Sequence, residues 1–373
     1  MQMLFRTWAE VSLGRIAENF HSIQSAVGDG VVVSPAVKAN AYGHGARQVG
    51  RCLDAAGARW LAVSTTDEGV ELRDAGVNAN ILVMGDFLPF EREAIVERRL
   101  TPVIHSLVRL RDFNRVAAAS GRRLSWHLKV DTGMGRLGSR ATAAELIDAV
   151  REAPHTKLEG LMTHFASASD FSSSQTAEQI AAFGAARAAL RSAGIDPPLT
   201  HLASSGPVAH GLKASWGNMV RPGLLLYGYA PPASGCAPGL AVKTAPALTW
   251  KAAIVEVRNL AAGESVGYGA TWRASRSTRV AVLAAGYADG VPARLANRGK
   301  VIIDGMPVPI IGAVSMDLTC VDVTECARAN PGDAATLLGP QYDALAMARD
   351  AGVDPREILC GMGRRVSRVY MPQ

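Results

Sequence analysis

The strongest constraint on the fold is a regular alternation of short β-branched runs with longer segments of helical spacing, between residues 30 and 228. This alternation is typical of βαβ units, in which helical crossovers join parallel strands. The runs with strand character are 31–38, 59–63, 80–84, 101–104, 124–131, 157–164, 198–204 and 220–227. The segments with apolar residues at helical intervals are 12–27, 45–56, 66–76, 90–98, 106–118, 141–152 and 176–193. Eight strands with helical crossovers predict an α/β fold, a closed (β/α)8 barrel.

The pattern changes after residue 227. The stretch 230–239 is rich in Pro, Gly and Ser and is typical of a linker between domains. From about residue 247 the chain becomes a series of strand-like runs separated by Gly, Pro or Asp, and 341–361 has helical spacing. Because 373 residues exceed the size of one core, we expect two domains. These are a barrel over 1–238 and a C-terminal β-rich domain over 239–373, with about the first ten residues pairing with the second domain.

Composition excludes several classes of protein. A chain with 48% hydrophobic and 19% charged residues is a globular protein and not a disordered one. The net charge is +6, but the basic residues are scattered single arginines, which argues against nucleic-acid binding. The five cysteines form no C-x-x-C pair, so we expect thiols and no metal site. No window is apolar enough for a secretory signal or a membrane span, so we expect a cytoplasmic protein with no membrane partner.

Polar residues gather where the predicted strands end. Active sites of this fold lie at the C-terminal ends of the barrel strands. The residues there are Lys38, Asp131, His164, Ser204, Ser205, Arg221 and Gly223. If the runs are barrel strands, these residues converge on one mouth.

Lys38 ends a buried strand and precedes a glycine-punctuated turn, in SPAVKANAYGHG. One interpretation is a lysine whose stem packs on the barrel while its ammonium reaches water. The other is a desolvated amine with a lowered pKa, which forms an imine with an aldehyde such as pyridoxal phosphate.

The segment HLKVDTGMGRLG contains a formal G-x-G-x-x-G at Gly133, Gly135 and Gly138. A dinucleotide-binding loop is one interpretation. The motif lies in the fifth βα unit and not in the first, and it contains Arg136, which favours an anion-binding role.

Seven spaced segments together resemble bacterial alanine racemase, in the family's order and over nearly the whole chain. They are AVKANAYGHG, KVDTGMGRLG, MTHFA, VRPGLLLYG, VGYGATW, GYADG and RRVSRVY. The resemblance implies a barrel with a C-terminal β domain, pyridoxal 5'-phosphate as cofactor, and interconversion of L- and D-alanine. It also implies a homodimer with shared active sites, which supplies D-alanine for peptidoglycan.

By that resemblance, Lys38 holds the cofactor and is one of two catalytic bases, and Tyr268 is the other. Racemisation needs a base on each face of the planar α-carbon, one to remove the proton and one to return it. Arg221 is similar to the arginine that the family points at the pyridine nitrogen. Its fixed charge would keep that nitrogen unprotonated and would limit side reactions.

The resemblance assigns further roles. His201 is expected to support Arg221, and His164 to contact the cofactor and support the tyrosine base. The expected phosphate ligands are Tyr42, Ser205, Tyr370 and the backbone near Gly223 and Leu224. The expected substrate-carboxylate contacts are Arg136 and the backbone of Met316. Lys129 resembles a lysine that is carbamylated in many members and would then orient Arg136. Tyr287 is expected at the substrate entrance, and Asp317 close to the site.

Two departures from the family pattern are visible. The usual Ala-Asn-Ser reads Ala203-Ser204-Ser205, which keeps the serine but loses a neighbouring amide. The position of the family's entrance arginine is occupied by Ala293 here, followed by Arg294.

The alternative functions that remain are a racemase of serine or another small amino acid, a non-catalytic pyridoxal-phosphate-binding protein, and an amino-acid decarboxylase.

Overall fold

The computed structural model describes residues 5–371. Its strands are β1 Thr7–Ser12, β2 Val32–Val33, β3 Trp60–Val63, β4 Asn80–Val83, β5 Leu100–Ile104, β6 Leu124–Lys129, β7 Thr156–Met162, β8 Leu199–His201, β9 Met219–Val220, β10 Leu248–Leu260, β11 Ser265–Val266, β12 Trp272–Arg273, β13 Thr278–Leu283, β14 Lys300–Ile303, β15 Met306–Pro309, β16 Thr319–Asp322, β17 Ala334–Leu338 and β18 Ser367–Met371. Its helical segments are α1 Leu13–Val27, α2 Lys38–Tyr42, α3 Ala46–Ala55, α4 Thr66–Asp74, α5 Arg92–Glu97, α6 Leu107–Ser120, α7 Ala143–Arg151, α8 Gln175–Ser192, α9 Ser205–Ala209, α10 Ala344–Ala351 and α11 Pro355–Cys360.

The chain divides into two compact units. The barrel unit contains Ile16–Ala41 and Ala46–Ala245. The β unit contains the described residues up to Arg15, the short segment Tyr42–Gly45 and the described residues from Pro246 onward. The predicted fold class, an α/β barrel with a second β-rich part, is confirmed.

The parallel strands of the barrel unit follow one another in chain order. Strands β3 to β8 each pair with the next, and β2 pairs with β9. A bridge between Ala36 and Ala62 links the β2 segment to β3. The Arg221 amide donates to the Ala203 carbonyl at 3.0 Å, just beyond β9 and β8. These links close the eight strands into the predicted barrel.

Burial explains why these runs form strands. Every residue of β3 is buried, and so is every residue of β5. Strands that are buried on both faces belong to parallel sheets covered by helices. The covering helices, such as α1 with Ile16, Phe20 and Ile23, turn their apolar stripe inward. Within residues 5–371, no helix combines the length and the apolar character that a bilayer span requires.

One sheet organises the β unit around the long strand β10. The sheet order is β15, β14, β17, β10, β1 and β18, and β13 pairs with both β10 and β16. Strand β1 is antiparallel to β10 and parallel to β18. The N-terminal strand is therefore held between two strands from the far end of the chain.

Two sequence expectations need correction. The run 220–227 is a strand only at its start, since β9 ends at Val220 and Leu224–Tyr227 is a 3-10 turn after Pro222 and Gly223. The stretch 230–239 is not a loose linker, because Ser234 exchanges backbone hydrogen bonds with Ser169 and Phe171.

The buried side chain of Asn19 holds distant segments of the barrel unit together, and its substitution tests this role. This buried side chain of α1 donates to the carbonyls of Leu226 and Ala245 at 2.9 Å each, and it accepts from the Ala245 amide. Replacing it by alanine leaves three backbone groups without that partner. We expect Asn19→Ala to lower the free energy of unfolding by about 3 kcal/mol, measured by urea denaturation. The exposed Ser22→Ala on the same helix is the control, and equal effects of the two changes would contradict the assignment.

Candidate active site

Lys38 follows the first barrel strand: the predicted run 31–38 is a strand only over Val32–Val33, and an isolated bridge at Ala36 continues the pairing towards Lys38. The Ala36 amide donates to Pro222 and the Val37 amide donates to Ala62, so the chain is held on both sides up to the residue before the lysine. Lys38 itself is half-buried. The predicted position at the barrel mouth follows from these hydrogen bonds.

The four residues after Lys38 form a left-handed turn. Ala39, Asn40, Ala41 and Tyr42 have φ angles of 51°, 54°, 53° and 52°. None of them is glycine, and left-handed backbone costs about 1–2 kcal/mol for each such residue. Strain of this kind persists only where the surroundings impose it, and it clusters at functional sites.

Glu68 imposes part of this strain. Its carboxylate accepts from the Ala39 amide at 2.6 Å and from the Ser64 amide at 2.7 Å, while it completes the capping box of α4 with Thr65. The Asn40 side chain adds a hydrogen bond from the Ala46 amide at 2.8 Å. Sequence reasoning missed Glu68, because three residues after a threonine it has the pattern of an ordinary helix cap.

Arg221 is a buried cation surrounded by neutral acceptors. Its Nη1 donates to His201 Nδ1 at 2.7 Å, and its Nη2 donates to His164 Nδ1 at 3.2 Å. Nη2 also donates to the carbonyls of Thr163 and Leu202. Within residues 5–371, no carboxylate forms an ion pair with it. Burial lowers the pKa of Arg221 to about 9.

Ser205 and the backbone after Pro222 form a cradle of hydrogen-bond donors. The Ser205 hydroxyl accepts from the amides of Gly223 at 2.9 Å and Leu225 at 3.2 Å. This places a hydroxyl beside the amides of Gly223 and Leu225, at the ends of the seventh and eighth strands. Such a set is able to bind an anion such as phosphate. Gly223 and Leu224, both expected as phosphate ligands, belong to this backbone.

Several cations converge on His164. Burial lowers its pKa well below the ordinary value, and Arg221, Lys129, Arg136 and Lys38 lower it further. Lys129 is buried, and burial, then Arg221 and Arg136, lower its pKa to about 8, against an opposing effect of Asp131. The structure therefore brings these predicted residues into one positively charged mouth.

The loop that carries Arg136 is folded around Asp131. Burial alone would raise the pKa of this carboxyl, but hydrogen bonds from Gly135, Arg140, Gly133 and Met134 lower it to about 2. The amides of the glycine motif are thus directed at the chain's own carboxylate. This contradicts a dinucleotide-binding loop, whose amides would face a phosphate.

Gln179 is a further residue that sequence reasoning missed. This buried amide of α8 donates to the Thr132 hydroxyl at 3.2 Å and to the His164 carbonyl at 3.0 Å, and it accepts from the Ala166 amide at 2.9 Å. It ties the loop after β6 to the loop after β7. A glutamine on a helix carries no sequence signal for this role.

The other predicted residues lie in the β unit. Tyr42 is buried there, and burial followed by Cys360 raises its pKa to about 12, although Arg356 opposes the shift. The Tyr370 hydroxyl lies beside Gly45, where a Cβ atom would overlap it. Tyr370 is therefore close to the segment 42–45, which contains Tyr42.

Tyr268 lies at the tip of a hairpin made by β11 and β12. Gly267 and Gly269 flank it with φ angles of 74° and 70°, which few other residues adopt. Its side chain is 77% exposed within the chain. An exposed phenol at the tip of a hairpin is available to a second surface.

Met316 and Tyr287 lie together on the β unit and are both exposed. The Ala288 amide donates to the Met316 carbonyl at 3.0 Å. Asp317 accepts from Arg365 at 2.6 Å, and Arg365 also makes a bidentate pair with Asp289. At the second departure, Ala293 is exposed and Arg294 points to the Gly352 carbonyl at 3.4 Å. Ser204 precedes α9 without capping it.

The barrel mouth fits a phosphorylated pyridine aldehyde on chemical grounds. It offers an amine, an anion cradle and a buried guanidinium with neutral neighbours. A ligand with a phosphate and a ring nitrogen that accepts a hydrogen bond matches these donors. The residues present therefore agree with the cofactor that the resemblance implies.

The chain matches two family descriptions. "Alanine racemase, N-terminal domain" matches residues 11–231, and "Alanine racemase, C-terminal domain" matches residues 247–370. An alanine racemase of Carboxydothermus hydrogenoformans is 39% identical over 98% of this chain and 99% of its own length. An alanine racemase of Halothermothrix orenii is 38% identical over 98% of this chain and 96% of its own.

Solved structures agree with these relatives. Alanine racemase of the D-cycloserine producer Streptomyces lavendulae has a TM-score of 0.93 at 31% identity, over 100% of this chain and 98% of its own. Alanine racemase of Bartonella henselae has a TM-score of 0.87 at 28% identity, over 98% of this chain and 99% of its own. The latter was solved with covalently bound pyridoxal phosphate.

The lowered pKa of Lys129 predicts how readily this amine takes up carbon dioxide. Only the neutral amine attacks carbon dioxide, and below about pH 8 the ammonium form predominates. We expect a carbamate carbon signal from labelled bicarbonate to grow as the pH rises through about 8, in carbon-13 NMR spectra. The signal should be absent from Lys129→Ala and retained in the exposed-site control Lys157→Ala. A carbamate signal that persists without Lys129 contradicts this prediction.

Proposed function

Since this chain belongs to the alanine racemase family, it is a pyridoxal-phosphate-dependent isomerase that interconverts L- and D-alanine, and we propose that Lys38 and Tyr268 are its two bases. The observation that carries this assignment is that Lys38 precedes a strained left-handed turn and, like the buried Arg221, lowers the pKa of His164, while Arg221 itself has neutral hydrogen-bond acceptors. Barrel enzymes place their chemistry at this end of the strands.

Bound pyridoxal phosphate would supply an electron-withdrawing ring that acidifies the α-hydrogen of the amino acid. In the proposal, the Lys38 amine would hold the cofactor, and Ser205 with the backbone of Gly223 and Leu224 would hold its phosphate. By the family resemblance, the hydroxyls of Tyr42 and Tyr370 would also bind that phosphate. Arg221 would donate to the ring nitrogen and leave it unprotonated, since a guanidinium has protons to donate and none to accept.

Proton transfer is then divided between two side chains. The Lys38 amine takes or returns the α-proton on one face of the substrate, and the Tyr268 hydroxyl does so on the other. Arg136 and the backbone of Met316 bind the substrate carboxylate, with Tyr287 at the entrance and Asp317 pinned by Arg365. His164 contacts the cofactor and supports the Tyr268 hydroxyl. A carbamate on Lys129 would place a negative charge near Arg136.

We further propose that the enzyme is a homodimer, in which each site takes Tyr268 from the partner subunit. Within the chain Tyr268 is largely exposed, although a catalytic phenol works in a site that excludes water. The segments that follow the barrel strands also expose Leu88, Phe90 and Leu137, and Val108 in the first turn of α6. Exposed apolar side chains at one edge favour a subunit interface there.

The substrate is proposed to be alanine, with serine as the rival, because an apolar pocket rejects an added hydroxyl poorly. A panel of L-amino acids with chiral analysis of the products separates the two. None of the five cysteines, all within residues 5–371, is in a disulfide, and this supports a cytoplasmic location. That the D-alanine serves peptidoglycan stays a prediction.

Deuterium exchange tests the two-base assignment. In Tyr268→Phe, we expect the α-hydrogen of one alanine enantiomer to exchange with deuterated water while racemisation falls by about 1,000-fold, since a missing acid–base group removes roughly 100- to 10,000-fold. Proton NMR follows the exchange, and chiral chromatography follows the racemisation. Tyr342→Phe, at a buried tyrosine far along the chain, is the control. Undiminished racemisation by Tyr268→Phe would falsify the assignment.

Hybrid dimers test whether the site is shared. In a hybrid of Lys38→Ala with Tyr268→Phe, a shared arrangement leaves one site with both bases and the other with neither. We expect about half of the wild-type activity from hybrids purified through two different tags, because one of two equivalent sites is intact. If each chain uses its own tyrosine, the hybrids are as inactive as the two parent variants.

A further inference from the structure

A third histidine lies behind Arg221 and His201. His127 Nδ1 is 2.8 Å from His201 Nε2, and His201 Nδ1 is 2.7 Å from Arg221 Nη1. The rings of both histidines are completely buried. The three side chains therefore form one continuous chain of hydrogen bonds inside the barrel.

The Arg221 guanidinium determines which ring nitrogen carries the proton in His201 and in His127. Arg221 can only donate, so His201 Nδ1 must accept and the His201 proton must be on Nε2. That proton points at His127 Nδ1, so His127 must accept there and carry its own proton on Nε2. An additional proton on either ring would set two N–H groups against each other. Both rings are thus neutral and in the same tautomer.

The pKa values agree with this geometry. Burial, and then Arg221, lower the pKa of His127 to about 3. Burial, then Arg221 and His127, lower the pKa of His201 well below its ordinary value. The charged groups that face these rings are therefore cationic, and neither ring gains a proton near neutral pH.

The barrel makes room for the His127 ring. Gly160 on β7 faces it, and a Cβ atom there would overlap the imidazole. Gly160 has no left-handed φ, so the glycine provides space and not a special backbone conformation. The register of β6 against β7 shifts between Trp126 and His127. On another side the ring of Trp60 is 5.2 Å away, centroid to centroid.

We propose that His127 is a positioning residue. Its Nδ1 accepts a hydrogen bond from His201 Nε2 and thereby fixes the direction in which Arg221 points. A carboxylate in the place of His201 would also hold Arg221, but it would neutralise the guanidinium charge. A chain of neutral rings holds the guanidinium and leaves its charge intact. The effect of His127 on racemisation rests on the proposed function, whereas the hydrogen-bond chain does not.

Nitrogen-15 NMR of the histidines tests the chain directly. The full-length protein, labelled at histidine and loaded with pyridoxal phosphate, is expected to show protonated Nε2 and unprotonated Nδ1 for His127 and His201. His210 is an internal reference for the opposite tautomer, because its Nδ1 faces the Pro238 carbonyl at 2.8 Å and must donate. Single His→Asn variants assign the signals. A proton on Nδ1 of His127 overturns the proposal.

Two substitutions separate positioning from packing. In His127→Asn the amide oxygen can take the place of Nδ1, whereas His127→Leu fills space and accepts nothing. We expect His127→Leu to lower kcat about tenfold, as loss of an orienting partner does elsewhere, with KM for alanine unchanged and faster solvent exchange of the His201 proton. His127→Asn should recover both. His210→Asn is the control, and should leave the His201 signal as it is.

The outcomes distinguish this inference from the proposed function. If His127→Leu leaves the His201 signal and kcat at wild-type values, or if Asn and Leu have equal effects, the positioning role is wrong. If the NMR pattern holds but neither the wild type nor the variants racemise alanine, the hydrogen-bond chain stands and the proposed function fails.

Discussion

A buried guanidinium without a carboxylate partner governs the barrel mouth. Moving such a charge out of water costs several kcal/mol even after relaxation, and Arg221 offsets this only with neutral acceptors. Burial, and then this cation, lower the pKa values of His164, His201 and Lys129. The histidines around it are neutral in consequence. The site is therefore rich in fixed positive charge and poor in titratable protons, which suits an anionic cofactor.

A second constraint acts on the backbone at Lys38. The residues that follow it are left-handed without the help of glycine, so tertiary contacts must supply the missing stability. Glu68 supplies one of them by accepting from the Ala39 amide. The same carboxylate caps α4, and the start of a helix is thus coupled to the position of the lysine. Electrostatics and strain together hold the mouth in place before any substrate arrives.

Much of this could be predicted from the sequence, because the barrel depends on periodicity, and periodicity is local. Lys38 and Arg221 could be placed because polar residues at strand ends are conspicuous among apolar neighbours. The left-handed turn could not, since its usual signal is glycine and none is present at 39–42. Glu68, Gln179 and His127 were missed for a related reason: each has an ordinary local pattern, and only the packing of distant segments shows its role.

The uncompensated Arg221 has a consequence for the life of the protein in the cell. A ligand that binds only the native chain adds stability in proportion to the logarithm of its concentration. Both the desolvated cation and the strained turn cost free energy in the native chain. A cofactor bound as proposed would offset part of this cost, and would stabilise the fold as well as take part in the reaction. On that proposal, chains made when the cofactor is scarce would unfold more often and would be cleared sooner by proteases.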